Sequence, residues 1–225
     1  MDRKRGVPLL FAFLALEGGL YVLFLLQDLS LLGGDSMKVK YLSILLCLTF
    51  SAWGALWGGA GLITAALALT AGADWFLLVL NRHYLAGVGL FCLVQGLYWV
   101  RIRLARGSWG WWPGRLLLWA GAAAVLYRLG LLEPLTALAA LYIANFFWNI
   151  LDSLPLGRGR GRLFVLGLVL FFCCDLCVGV HNAPGLFPAG LTAFARVGMW
   201  LFYLPAQVLI TLSGLPEEFF GRIEP

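Results

Sequence analysis

The sequence predicts an all-α polytopic membrane protein, a bundle of about eight transmembrane helices with both termini cytoplasmic. Three observations predict it. Hydrophobic residues fill 62% of the 225 positions, and Asp, Glu, Lys and Arg together only 12%, whereas a soluble domain carries about 25% charged residues. The mean hydropathy is +0.90. The apolar residues also fall in runs of the length that crosses about 30 Å of hydrocarbon, with basic residues between them. Intrinsic disorder and a soluble α/β enzyme are excluded. Backbone amides find no water in lipid, so the runs must be helices, and they are too continuous for a barrel.

The first span, Val7 to Leu26, follows Arg3, Lys4 and Arg5. It outlasts a cleaved signal core and no small-x-small site precedes Asp28, so it is expected to be retained. The second covers Tyr41 to Leu56, and after a short turn at Trp57 to Gly61 the third runs to Leu80. Asn81-Arg82-His83 breaks the chain before a fourth span, Tyr84 to Val100. The tryptophan-rich segment Gly107 to Gly114 reads as an interfacial loop, followed by a fifth span from Leu116 to Leu132. Glu133-Pro134 starts a sixth, to Leu154, because proline costs no hydrogen bond in a first turn. The basic loop Pro155 to Arg162 leads to a seventh, Leu163 to Val180, and Thr192 to Leu212 is the eighth, which Pro205 could break. The short loops predict a single domain spanning 1–225.

The basic residues test this count. With the N-terminus inside, Arg3, Lys4, Arg5, Arg101, Arg103, Arg106, Arg115, Arg158, Arg160, Arg162 and Arg222 are cytoplasmic, eleven in all. Lys38, Lys40, Arg82 and Arg128 are the four outside, with Arg196 at the start of the last helix. That bias has the sign membrane proteins show. The net charge of +5 therefore reports topology and an affinity for the bilayer, with no nucleic-acid partner implied. Intramembrane glycines, Gly18-Gly19, Gly54 with Gly58, Gly87-Gly89 and Gly167, suit close helix contact. The sequence leaves the oligomeric state open.

Chemistry is sought where polar groups are buried at a cost. The candidates are Glu17, Asp74, Gln95, Asn145, Asn149, Asp152, Asp175 and Gln207. Asp74 precedes Leu80 by six residues and Asp175 precedes Val180 by five, about 9 and 8 Å inside the outer end of their helices. Two carboxylates at matching depth can share a cavity, where like charges favour one protonated acid beside one ionised base. Either alone can equally be a helix-packing group. Asp152 reads as an inner-end carboxylate that reaches water, and Asp28 and Asp35 as outer-loop residues. Asn145 and Asn149, four apart, share a face and either line the bundle interior or bond across helices. No metal or other cofactor is expected. His83 and His181 are two residues at the outer rim, and Cys173, Cys174 and Cys177 lie in an apolar run with no second cysteine pair. Serine-hydrolase, zinc-protease and phosphate-loop motifs are missing.

The segment from Ala66 to Tyr98, "ALALTAGADWFLLVLNRHYLAGVGLFCLVQGLY", resembles the YhhN-like family, whose vertebrate members are lysoplasmalogenases. The family's small-residue helix ending in Gly-Asp is similar to Gly72-Ala73-Asp74, and its glycine-containing helix to Gly87, Gly89 and Phe91. Gln95 with Tyr98 stands where the family has His-x-x-Tyr. Its later "LF-x-x-SD" resembles "LFFCCD", with Asp175 as the acid and Cys174 in place of serine. Its final motif resembles Tyr203, Gln207, Leu209 and Ile210. The resemblance implies a lipid hydrolase of the cell membrane, cleaving the vinyl ether of a lysoplasmalogen or related lysophospholipid to a fatty aldehyde and a glycerophospho-headgroup. It implies Asp74 and Asp175 as catalytic acid and base, with Gln95, Tyr98, Asn149, Arg196, Tyr203 and Gln207 as substrate-binding candidates. Arg196 could hold the phosphate or snorkel to the interface. A small transporter, using the acids as a proton relay, and a non-catalytic lipid-binding protein are the alternatives.

Overall fold

The computed structural model describes residues 3–107, 112–183, 185–216 and 219–220. Among them the chain forms eight α-helices and no strand: α1 (Arg3–Asp28), α2 (Ser36–Ala55), α3 (Gly61–Asp74), α4 (Tyr84–Arg106), α5 (Trp112–Arg128), α6 (Pro134–Ser153), α7 (Arg160–His181) and α8 (Ala189–Gly214). Six are long and apolar enough to cross a membrane by length and composition. The other two are α2, with Lys38 and Lys40 near its start, and α5, of 17 residues. Leucine, valine and phenylalanine side chains on the outside of the bundle, such as Phe11, Leu16, Val22, Leu117 and Leu166, are exposed as a lipid-facing surface requires.

Contacts at the two ends show that α2 and α5 run the full depth of the bundle. At one end, Lys40 near the start of α2 bonds Asp28 at the end of α1 at 2.7 Å. At the other, Gly54 near the end of α2 abuts Leu215, and the amide of Ala60 bonds the carbonyl of Gly214 at 2.8 Å. Arg115 in the first turn of α5 meets Asp152 at the end of α6, whereas the Thr136 hydroxyl, in the first turn of α6, bonds Leu131 just beyond α5. The ends expected inside therefore meet one another: those of α2, α4, α6 and α8 with the beginnings of α3, α5 and α7. This grouping is the one the eleven-to-four charge bias requires.

Several boundaries differ from the expected ones. α4 continues past Val100 to Arg106 and stops at Gly107, whose φ of 65° is left-handed and whose amide bonds the Arg103 carbonyl. The extra turns carry arginines whose heads reach the inner rim. α5 begins at Trp112, inside the segment expected to be loop, because Pro113 is compatible with a first helical turn. The rest of that segment, 108–111, lies outside the described residues. α8 runs through Pro205 unbroken. Proline has no amide to offer the carbonyl four residues earlier, and that carbonyl, of Leu201, instead accepts the Tyr21 hydroxyl at 3.1 Å. The third span does not stay α-helical to Leu80: after Asp74 it widens into a π-helical turn, Trp75–Val79.

The glycines divide. A Cβ on Gly167 would lie 2.7 Å from Ile210 Cγ1 and 3.1 Å from the Ala206 carbonyl, so this residue sets the close approach of α7 to α8. Gly18 and Gly19 face open space and bring no helices together. Gly167→Val is expected to cost about 1–3 kcal/mol, and Gly18→Ala to stay within about 1 kcal/mol of the parent, in detergent unfolding titrations. Equal effects would show that α7 and α8 are not packed this closely. For topology, a cysteine at Gly159 in a cysteine-free background should resist an impermeant thiol reagent on intact cells. One at Asn81 should react; reversed labelling would invert the orientation.

Candidate functional site

Helical spacing points four sets of side chains inward: Thr70 and Asp74 on α3, Phe91, Gln95 and Tyr98 on α4, Tyr142, Phe146 and Asn149 on α6, and Phe171 with Asp175 on α7. Tyr203 and Gln207 on α8 complete the ring. Each pair separated by three, four or seven residues lies on one helix face.

Both aspartates accept a phenol hydrogen bond. The Tyr203 hydroxyl donates to Asp74 Oδ2 at 2.6 Å, and the Tyr142 hydroxyl donates to Asp175 Oδ2 at 2.6 Å. Asp74 is 3% exposed and Asp175 is half-buried. One aromatic cluster joins the two pairs: the Phe171 ring lies 5.3 Å from Tyr203 and 5.8 Å from Phe91, and Phe91 lies 5.9 Å from Tyr142. Asp74 also ends the α-helical part of its span, just before the π turn, a distortion frequently found at functional sites.

The amide side chains lie deeper. Gln95 and Asn149 are fully buried, and Asn149 Nδ2 donates to the Gln95 carbonyl at 2.9 Å and to its Oε1 at 2.8 Å. Gln207 is fully buried one turn beyond Tyr203, about 6 Å along α8. Its side-chain amide makes no hydrogen bond to the described residues, and neither does the Tyr98 hydroxyl. Asn145 does not join Asn149. It accepts from Arg115 through its carbonyl at 3.1 Å and its Oδ1 at 3.3 Å. Arg196 is exposed on α8, about 10 Å along the helix from Tyr203, with no hydrogen bond or ion pair among the described residues.

Three features were not anticipated from the sequence. Tyr142, the donor to Asp175, carried no signal beyond its spacing to Phe146 and Asn149. Lys40, expected only as a marker of the outer side, is 1% exposed, paired with Asp28, and lies 4.2 Å from the Trp200 ring centre. That ring packs 5.9 Å from Tyr203, which brings a cation to the outer approach of the acids. Asp152, expected to reach water, is instead held by guanidinium groups: Arg115 at 2.7 Å, Arg106 at 3.3 Å, and Arg103. Glu17, the third buried acid, sits apart between α1 and α2, bonded by Ser43 and by Cys47 Sγ at 3.3 Å. The described cysteines are all free thiols, and the described residues contain no grouping of three or more His, Cys, Asp or Glu that could hold a metal.

The model of the YhhN family matches residues 35–214. The match covers most of the chain, and the protein belongs to the YhhN family. No curated protein and no solved structure matches it.

Removing a donor from a buried acceptor costs about 1–3 kcal/mol. Tyr203→Phe is therefore expected to destabilise the fold by that amount in detergent unfolding. Tyr142→Phe should cost less, because Asp175 is less deeply buried than Asp74. The reverse order would contradict the burial described here.

Proposed function

We propose that this YhhN-family protein is a lipid hydrolase embedded in the cell membrane, cleaving the vinyl ether of a lysoplasmalogen or closely related lysophospholipid with Asp74 and Asp175 as its acid–base pair. The observation that carries the reading is the pair itself: two carboxyl groups, each held by a phenol, meeting at one aromatic cluster inside a helix bundle. Family membership supports it. A vinyl ether hydrolyses when a proton adds to the alkene carbon remote from oxygen, giving an oxocarbenium ion. Water adds to the carbon bonded to oxygen and loses a proton. The hemiacetal then collapses to the aldehyde and the alcohol of the glycerophospho-headgroup. The net change consumes one water, and a protonated acid beside an ionised carboxylate supplies every proton movement. The ionised partner also stabilises the cation in a low-dielectric site, where such an interaction is stronger than in water.

The roles of the neighbours follow from their chemistry. Tyr203 and Tyr142 orient the carboxyl groups. Gln207 and the Tyr98 hydroxyl offer unused hydrogen-bonding capacity to a polar headgroup, and the Gln95–Asn149 pair fixes the wall beside them. Arg196, exposed toward the outer side, suits a lipid phosphate as well as an interfacial anchor.

Asp74→Asn and Asp175→Asn keep size but remove proton transfer. Each is expected to lower aldehyde release from lysoplasmalogen by about 100-fold or more, with the double variant little worse than either single one. Parental rates in both variants would remove the chemical basis of the assignment. Purified parental protein that binds the lipid without releasing aldehyde would favour a lipid-binding role.

A further inference from the structure

A cleft of about 470 Å³ opens at the inner end of the bundle, between the α2–α3 turn, the end of α4, the start of α7 and the end of α8. It lies far from the acids: Arg160, in its wall, precedes Asp175 by fifteen residues on α7, about 22 Å along the helix. Glycines shape its floor. A Cβ on Gly161 would fall 1.7 Å from the Leu156 carbonyl and one on Gly59 2.8 Å from that of Gly214, so backbones meet there without side chains.

Among the described residues, positive charge reaches the cleft from two sources. Its described lining contains Arg101, Arg158 and Arg160 and no acidic residue. Both α3 and α7 begin at it, and their capping residues, Ala60 and Gly159, place no side-chain hydrogen bond on the first turn. The amides of Ile63, Gly161 and Arg162 in these first turns bond the carbonyls of Ala60, Arg158 and Gly159, and each helix start still carries about half a positive charge. Arg101 is fixed in place: Nη1 and Nη2 donate to Ser213 Oγ and to its carbonyl, both at 2.8 Å, and the guanidinium stacks 4.1 Å from the Phe164 ring. A guanidinium has five N–H donors, and these bonds to Ser213 use two of them. Arg160 is anchored on the Leu215 carbonyl. Arg158 is exposed on the rim.

Convergent guanidinium groups and helix starts recognise tetrahedral oxyanions, and basic pockets between helices on the cytoplasmic side take anionic headgroups. We propose that this inner cleft binds the phosphate group of an anionic ligand, either a phospholipid headgroup of the inner leaflet or free phosphate, at a site separate from the two aspartates. An inner-face lipid held there would clamp the α2–α3 turn to α7 and α8.

The test measures thermal unfolding of the purified full-length protein in nonionic detergent while inorganic phosphate or dioctanoyl phosphatidic acid is added. A saturable rise in Tm is expected with at least one probe. The apparent Kd should be about tenfold weaker in Arg158→Gln, which loses one charge-assisted contact, and unchanged in Arg128→Gln at the far end of α5. A response to the lipid alone identifies a headgroup, and a response to both shows that the phosphate group suffices. Arg101→Lys, which keeps charge but not the bidentate geometry, should weaken binding as well; if it fails to fold, the exposed Arg158 still decides. No stabilisation by either probe, or parental affinity in Arg158→Gln, overturns the site.

Discussion

Hydrocarbon offers no hydrogen bonds, so every polar group inside the bundle must find its partner in the protein. The partners differ in kind, and that difference sorts the acids. At the rims, Asp28 is matched by Lys40 and Asp152 by three arginines. These carboxylates are neutralised by full charges and serve as staples between helix ends. The three acids in mid-bundle have neutral donors instead: phenols for Asp74 and Asp175, a hydroxyl and a thiol for Glu17. A neutral donor orients a carboxyl group without fixing it as an anion, and the group remains free to exchange a proton. Only Asp74 and Asp175 are joined through one aromatic cluster, which is why the chemistry is assigned to them and not to Glu17.

The same constraint divides the molecule along the membrane normal. The inner end is tied by arginines to backbone carbonyls and Asp152, a dense and geometrically fixed arrangement. The outer half holds the acid pair, the Lys40–Trp200 contact and the exposed Arg196, with a π turn where α3 would otherwise have continued. Close packing of α7 on α8 at Gly167 connects the halves, since these two helices carry Asp175 and Tyr203 at one level and line the basic cleft at the other.

The bundle was legible in the sequence because composition, run length and the distribution of arginines all report on the membrane, and the membrane acts on every residue. The depth of Asp74 and Asp175 was legible too, since rise along a helix is fixed. Helix rotation was not. A soluble helix shows its buried side by contrast with a polar one, but here lipid and core are both apolar. Gly18 and Gly167 therefore look alike in sequence, although one faces open space and the other a neighbouring backbone. Tyr142 stayed hidden for the same reason: a tyrosine in a span reads as an interfacial residue until its hydroxyl is seen on Asp175. The start of α5 was missed because tryptophan, glycine and proline suggest a loop, while proline in a first turn is also a sound way to begin a helix.

Gln95 stands where the resembling motif has histidine, and its geometry bears on the proposed proton chemistry. Its carbonyl and Oε1 both accept from Asn149, so the side chain acts as a structural link between α4 and α6. An amide cannot shuttle protons at ordinary pH, whereas the histidine in the resembling motif could. The proposed vinyl ether hydrolysis needs one proton delivered to carbon and one removed from water, a task that falls in that proposal to the two carboxyl groups. Tyr142 and Tyr203 hold these carboxyl groups through phenols, and a phenol can donate to a carboxylate and rotate to accept from a carboxylic acid. In the proposed reaction Gln95 carries no proton, and the proton transfers fall to the two aspartates.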